Sequence, residues 1–258
     1  MNIIPNRPGT KAVTAGILAM LLALPVHAAT FILNPSADAF VTTGPSNNLS
    51  ANNYGGAGAL SVAAPGLAQG EFQSVMQFNL SGARAAFDAQ FGAGQWTIQS
   101  ITLALTATSG NNFFNSSAAG QFGVAWMQND AWIEGTGKPA VPTTNGITFA
   151  SLPSYTSTND ENLGTFSFAG GTSGTASYTL GLTSGFLADA SAGNPVSFRL
   201  SAADSTVSYL SFSGNNPAAS VRPLLSIAAI PEPHTFILFA AGAIFLGRAR
   251  YRRGKRQG

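Results

Sequence analysis

Ser74-Val75-Met76-Gln77-Phe78-Asn79-Leu80 is the stretch that decides the fold class. Met76, Phe78 and Leu80 fall on one side of an extended chain, with Gln77 and Asn79 on the other, a period of two that fits a half-buried strand. The pattern recurs outward from it. Ile101, Leu103, Leu105 and Ala107 alternate with Thr102, Ala104 and Thr106. Phe122, Val124 and Trp126 repeat it, then Phe166 and Phe168, then Tyr178, Leu180 and Leu182, then Val196, Phe198 and Leu200. Runs at 209–212 and 224–227 close the series. Between them stand Gly55-Gly56, Gly110-Asn111-Asn112, Gly170-Gly171 and Gly214-Asn215-Asn216-Pro217. Such clusters supply the positive φ angles and breaks that turns need. Met76, Phe78, Leu80, Leu103, Leu105, Phe122, Val124, Trp126, Phe198 and Leu200 are the expected core. One helix is expected at 83–91, capped by Ser81, with Ala83, Phe87 and Phe91 on one face. A short stretch at 182–190 is a second candidate. The expectation is an all-β, antiparallel, jelly-roll-like sandwich with one short helix, flanked by an N-terminal signal helix and a C-terminal transmembrane helix. No repeat of solenoid length argues for a β-helix.

The charge map divides the 258 residues into three parts. Eight of the twelve bases lie at the ends: Arg7 and Lys11, then Arg248, Arg250, Arg252, Arg253, Lys255 and Arg256. Between residues 29 and 230 stand four bases and nine acids, a net of −5. Phosphate binding needs a basic face, so nucleic acid is not an expected partner. Residues 1–28 read as a signal peptide: Arg7 and Lys11 precede an apolar run at 12–24, Pro25 ends it, and Val26 and Ala28 suit cleavage after Ala28 by signal peptidase. At the other end, Pro231-Glu232-Pro233 precedes an apolar run at 235–247 and the six-base tail. Thirteen residues rise about 20 Å as a helix, short of a hydrocarbon core of about 30 Å. Arg248 and Arg250 can snorkel to lengthen the span, and the basic tail holds that end inside. The membrane is thus a partner through this helix before processing. The body between is expected at 29–229 and the C-terminal label at 230–258.

Pro231-Glu232-Pro233, the short span and the Arg-rich end resemble the PEP-CTERM sorting signal of exopolysaccharide-producing Gram-negative bacteria. The resemblance implies an exosortase as partner, processing near the three residues, and a destination in the cell surface, extracellular matrix or biofilm. Asp38-Ala39-Phe40-Val41, Asn52-Asn53-Tyr54-Gly55, Leu60-Ser61-Val62 and the 74–80 strand resemble the opening of a DNRLRE domain. Trp132-Ile133-Glu134-Gly135-Thr136-Gly137 and Arg222-Pro223-Leu224-Leu225-Ser226-Ile227 are similar to its later landmarks. That family implies a secreted β-sandwich related to carbohydrate-binding modules, some members of which bind acidic polysaccharide. Gln77 stands where the family often carries Arg, and Asn79 where it often carries Asp.

Chemistry is narrowed by what the chain lacks. It has no Cys, and its two His are His27 in the signal and His234 in the sorting label. Thiolate and His-based catalysis and His-ligated metal sites are thereby excluded from the body. No catalytic residues are assigned and the protein is expected not to be an enzyme. The alternative, a glycosidase or lyase, would rest on Asp130 with Glu134, or on Lys138 with Tyr155 or Tyr178. No cofactor is expected; calcium has one candidate patch, Asn159-Asp160-Glu161-Asn162, with Asp160 and Glu161 as ligands, and the DNRLRE resemblance implies that Asp38 starts a strand nearby. Sugar stacking needs exposed aromatic faces beside polar groups. The candidates are Tyr54, Phe113, Phe114, Trp132 and Tyr155, with Trp132 and Tyr54 or Tyr155 as platform beside Asn53 and Glu134. The alternative for each ring is packing beneath the loops. The expected function is an exported surface or matrix protein binding extracellular polysaccharide, the other readings being a polysaccharide-modifying enzyme and a purely structural matrix or adhesion component.

Overall fold

The computed structural model describes residues 27–110 and 117–232. The alternating runs become strands and every pairing is antiparallel. The order is β1 (Ala29–Leu33), β2 (Ala37–Thr42), β3 (Ala59–Ala63), β4 (Phe72–Asn79), α1 (Ser81–Phe91), β5 (Trp96–Thr106) and β6 (Gly120–Met127). There follow β7 (Glu161–Phe168), β8 (Thr175–Leu180), α2 (Ser184–Ala192), β9 (Pro195–Ala202), β10 (Ser208–Phe212) and β11 (Leu224–Pro231). Four strands form one sheet in the order β1-β11-β5-β8. Seven form the other, ordered β10-β3-β4-β9-β6-β7 with β2 also paired to β4. Two helices accompany them, α1 at the expected one and α2 over the second candidate stretch. The all-β, sandwich-like class therefore holds. The signal and transmembrane helices fall outside the described residues, among which no helix is long and apolar enough to cross a membrane.

The main core lies between the sheets. Met76 and Phe78 from β4, Leu80 just after it, Phe122, Val124 and Trp126 from β6 and Phe198 and Leu200 from β9 meet Leu103 and Leu105 of β5 and Leu225 and Ile227 of β11. All ten expected core residues are buried. The aromatic rings interlock edge to face: Phe122 lies 5.1 Å from Tyr178 at 88°, and Phe186 lies 5.4 Å from Phe198 at 78°. Such contacts add to simple burial.

Both helices close this core, and neither starts as a Ser cap would have it. Ser81 is already inside α1; the residue before the helix is Leu80, with no side-chain cap. Asn79 Oδ1 instead accepts the Ser81 N–H at 3.1 Å, satisfying one of the four free donors of the first turn. Ala83 and Phe87 are buried, and Phe87 packs 5.1 Å from Trp96. In α2, Phe186 and Ala190 face inward, and Gly193 at φ 73° ends the helix. A left-handed residue there is cheapest as glycine.

The two ends of the fold leave side by side. Ala29 pairs with Ala229, and Pro231 pairs with Trp96. The Glu232 N–H then bonds Gln95 O at 3.0 Å.

Candidate functional site

The loops that carry the candidate aromatic platform do not stand free. Residues 128–160 fold over the outer face of the large sheet, the face away from the main core. There Trp132, Ile147 and Leu152 meet Ala39 and Val41 of β2, Val75 of β4 and Met127 of β6 in a second apolar cluster. Trp132 is 5% exposed, and its Nε1–H donates to Ser197 Oγ on β9 at 2.9 Å. Tyr155 is half-buried against the same cluster. Tyr54 is 1% exposed, stacked on Phe40 at 4.8 Å with 9° between the rings. Its hydroxyl accepts from Asn52 Nδ2 at 3.2 Å. A sugar stacks on an exposed face, and neither Tyr54 nor Trp132 offers one; both are packing residues here, and the platform is not assembled. Phe113 and Phe114 fall outside the described residues.

What holds these loops is Asn53, which is fully buried. Its Nδ2 donates to Glu134 O at 2.6 Å and Ile147 O at 2.8 Å. Its Oδ1 accepts from Gly137 N at 3.0 Å and Gly55 N at 3.2 Å. Its own N–H donates to Thr143 O at 2.7 Å. One amide thus satisfies backbone groups from two loops far apart in sequence, as a buried polar group must. The approach is too close for side chains. A Cβ on Gly137 would stand 1.8 Å from Asn53 O, and one on Gly55 2.1 Å from Glu134 O. The Asn-rich turn and the Trp-Ile-Glu-Gly-Thr-Gly segment are therefore one structural unit. In the sequence Asn53 stands out as part of the Asn-rich turn and as an acceptor beside the aromatic platform; nothing in its local pattern marks it as this hub.

The carboxylates follow the same logic. Glu134 Oε1 accepts from Asn215 Nδ2 at 2.7 Å and Asp38 N at 3.0 Å. Asn215 Nδ2 also reaches Gly55 O at 2.7 Å. Asp38 is buried and accepts the Gly214 N–H. Burial pushes its carboxyl up to about 7, and the Glu134 charge adds to that against the Gly214 and Ser213 hydrogen bonds. Asp130 belongs to a different network, through Ser197 on β9, with its carboxyl raised by burial. Asp130 and Glu134 are thus tied to separate elements rather than to one cleft. For the lyase arrangement, Tyr178 is inside the main core, while Lys138 sits on an exposed bridge to Val141.

The calcium patch is already engaged. Glu161 accepts from Thr183 Oγ1, from Ser184 Oγ at 3.1 Å, and from Gly185 N and Phe186 N at 2.9 Å each. It is the cap of α2 supplied from β7, and the Thr183 hydrogen bond leads the set that draws its carboxyl down to about 2. Asp160 accepts from Gln128 N and Ser157 N at 3.1 Å each and from Ser157 Oγ at 3.2 Å. A cation at either would have to displace these donors. Among the described residues no group of three or more His, Asp or Glu is placed to hold a metal.

Of the sorting motif, Pro231 ends β11 and Glu232 follows it; Pro233 and the tail from Arg248 to Arg256 fall outside the described residues. No family model matches this chain, and none of the curated proteins matches it.

Proposed function

We propose that this chain is an exported, non-enzymatic surface or matrix protein whose body contacts extracellular polysaccharide. A signal peptide at 1–28 delivers it to signal peptidase, and an exosortase reads the label at 230–258, of the PEP-CTERM kind. The observation that carries the reading is the segregation of charge: six bases after one short apolar run and two before another, around a body of net −5. The fold supports it. β1 opens at Ala29, directly after the expected cleavage site, and β11 closes at Pro231, at the start of Pro-Glu-Pro. Cleavage after Ala28 and near 231–233 leaves the described strands in place. A jelly-roll-like body of the DNRLRE kind is supported by the way Asn53 joins two of that family's landmarks. A purely structural matrix component is the second reading, favoured by the burial of Tyr54 and Trp132.

Protease added to intact spheroplasts tests the topology, and the mass of the mature protein from cells and medium tests the processing. The body should be digested, and the mature chain should begin at Ala29 and end near 231–233. A protected body with a digested tail, or a mature chain retaining 1–28, overturns the reading.

A further inference from the structure

Both helices close the same end of the sandwich. α1 joins the end of β4 to the start of β5, and α2 joins the end of β8 to the start of β9. Asn79 pairs with Pro195, so β4 ends where β9 begins. α1 touches β1, β5, β11 and α2, and Arg84 Nη1 ties it to α2 by donating to Ala192 O at 2.7 Å. Both ends of the body leave from here. β1 begins at Ala29 opposite Ala229, and β11 ends at Pro231 opposite Trp96. Asp88 of α1 accepts the Trp96 Nε1–H at 2.7 Å, which sets that helix beside the exit. At the opposite end stand the loop at 64–71, since Ala63 pairs with Phe72, and the turn at 169–174, since Thr175 pairs with Thr106 at the end of β5. β5 alone, with eleven residues, runs about 35 Å between the two ends.

The exit leaves little slack. The Glu232 N–H is still bonded to Gln95 O at 3.0 Å. In the sequence only Pro233 and His234 separate Glu232 from the apolar run at 235–247. Three residue steps reach about 10 Å at full extension, a fraction of the length of β5. At the other terminus of the body, residues 25–28 separate Ala29 from the apolar run at 12–24. A body tethered so closely cannot turn over. The outward surface of the helices is small and uncharged at Ala85, Ala86, Ala89, Ala188 and Ser191, all exposed. Of the four bases between residues 29 and 230, Arg84 alone lies on these helices, and it faces Asp88 at 3.6 Å. Anionic headgroups attract clusters of bases, and this end has none.

We propose that the α1–α2 end of the sandwich is its membrane-facing surface, held against phospholipid headgroups by the short tether at 232–235, with the loops at 64–71 and 169–174 pointing away. The proposal rests on the reading of 235–247 as a membrane span and adds which surface of the body meets the lipid. It concerns the anchored chain, before the label is processed. The tether, not charge, sets the orientation.

The chain has no Cys, so single cysteines can be introduced and labelled with a fluorophore. The full chain is reconstituted into phosphatidylcholine vesicles in which part of the lipid carries a nitroxide quencher on its headgroup. Labels on Ala89→Cys of α1 and Ala188→Cys of α2 should be quenched severalfold more than a label on Ala68→Cys at the opposite end; all three positions are exposed. Two positions on the helices keep the test decisive if one variant fails to fold. Gly-Ser inserts after Ala28 and after Pro233 together should remove most of the difference. Adding phosphatidylglycerol should leave it unchanged, and a difference seen only with that lipid overturns the tether. Equal quenching at the three positions, stronger quenching at Ala68→Cys, or a difference that survives the inserts also overturns the proposal. Vesicles that float without the chain overturn the membrane-span reading itself. A chain that floats with them and is quenched equally everywhere overturns this inference alone.

Discussion

Two of the three apolar clusters of this sandwich are held by different physics. The core between the sheets is built mainly from rings and aliphatic chains that leave water, Phe78, Phe122 and Phe198 among them, with a few polar atoms at its edges such as Trp96 Nε1–H, which donates to Asp88 Oδ1 at 2.7 Å. The cluster on the outer face is smaller and polar at its rim. It is apolar at Trp132, Ile147 and Leu152, yet its loop is positioned by Asn53, Ser197 and Glu134. The first region tolerates imprecision in hydrogen bonding because it has little. The second depends on each partner, since an unmet buried donor or acceptor costs about 1–3 kcal/mol.

The largest effect should come from the first region. Phe198→Ala should cost about 3–5 kcal/mol and lower the whole unfolding transition, read by denaturant titration. Asn53→Ala should cost about 2–4 kcal/mol, because it orphans two N–H groups and two carbonyls. Hydrogen exchange would separate the two. Asn53→Ala should raise exchange at residues 132–147 while β9 stays protected, and uniform exchange across both would erase the distinction drawn here.

Asp38 gives the comparison a pH axis. Its folded carboxyl sits near 7 against an ordinary 3.8, so the folded state holds the proton more tightly than the unfolded chain. Stability should therefore fall between about pH 4 and 7, by about 1–3 kcal/mol, and level off above. Asp38→Asn should flatten most of that fall, with Asp130 supplying a residue of the same sign. A variant as pH-dependent as the wild type would remove Asp38 from the account. Glu161 works in the opposite sense and a lower window: its contribution is present above 4.5 and is lost as pH falls towards 2. Glu161→Gln, which keeps one acceptor oxygen, should lower Tm at neutral pH by only about 2–4 °C.

The sequence made one region legible and hid the other for a physical reason. A strand buried on one face alternates, and Met76-Gln77-Phe78-Asn79-Leu80 does so cleanly. A strand buried on both faces reads as an unbroken apolar run. Val75-Met76, Trp126-Met127 and Ala39-Phe40-Val41 are such runs, and they are the trace of the second cluster. Trp132, Ile147 and Leu152 lie in no periodic segment, so only contact across the chain reveals them. Asn53 and Glu161 are ordinary polar residues in sequence; their roles come from elements about 80 and 22 residues away.

The most direct measurement is Trp132→Ala, read for melting temperature and polysaccharide retention together. If the loop is part of the fold, removing a buried ring should cost about 3–5 kcal/mol and lower Tm by at least about 6 °C. Any polysaccharide retention of the wild type should persist in the variant below its transition, since a buried ring offers a sugar no face. An unchanged Tm with retention lost would make Trp132 a ligand residue and contradict the account.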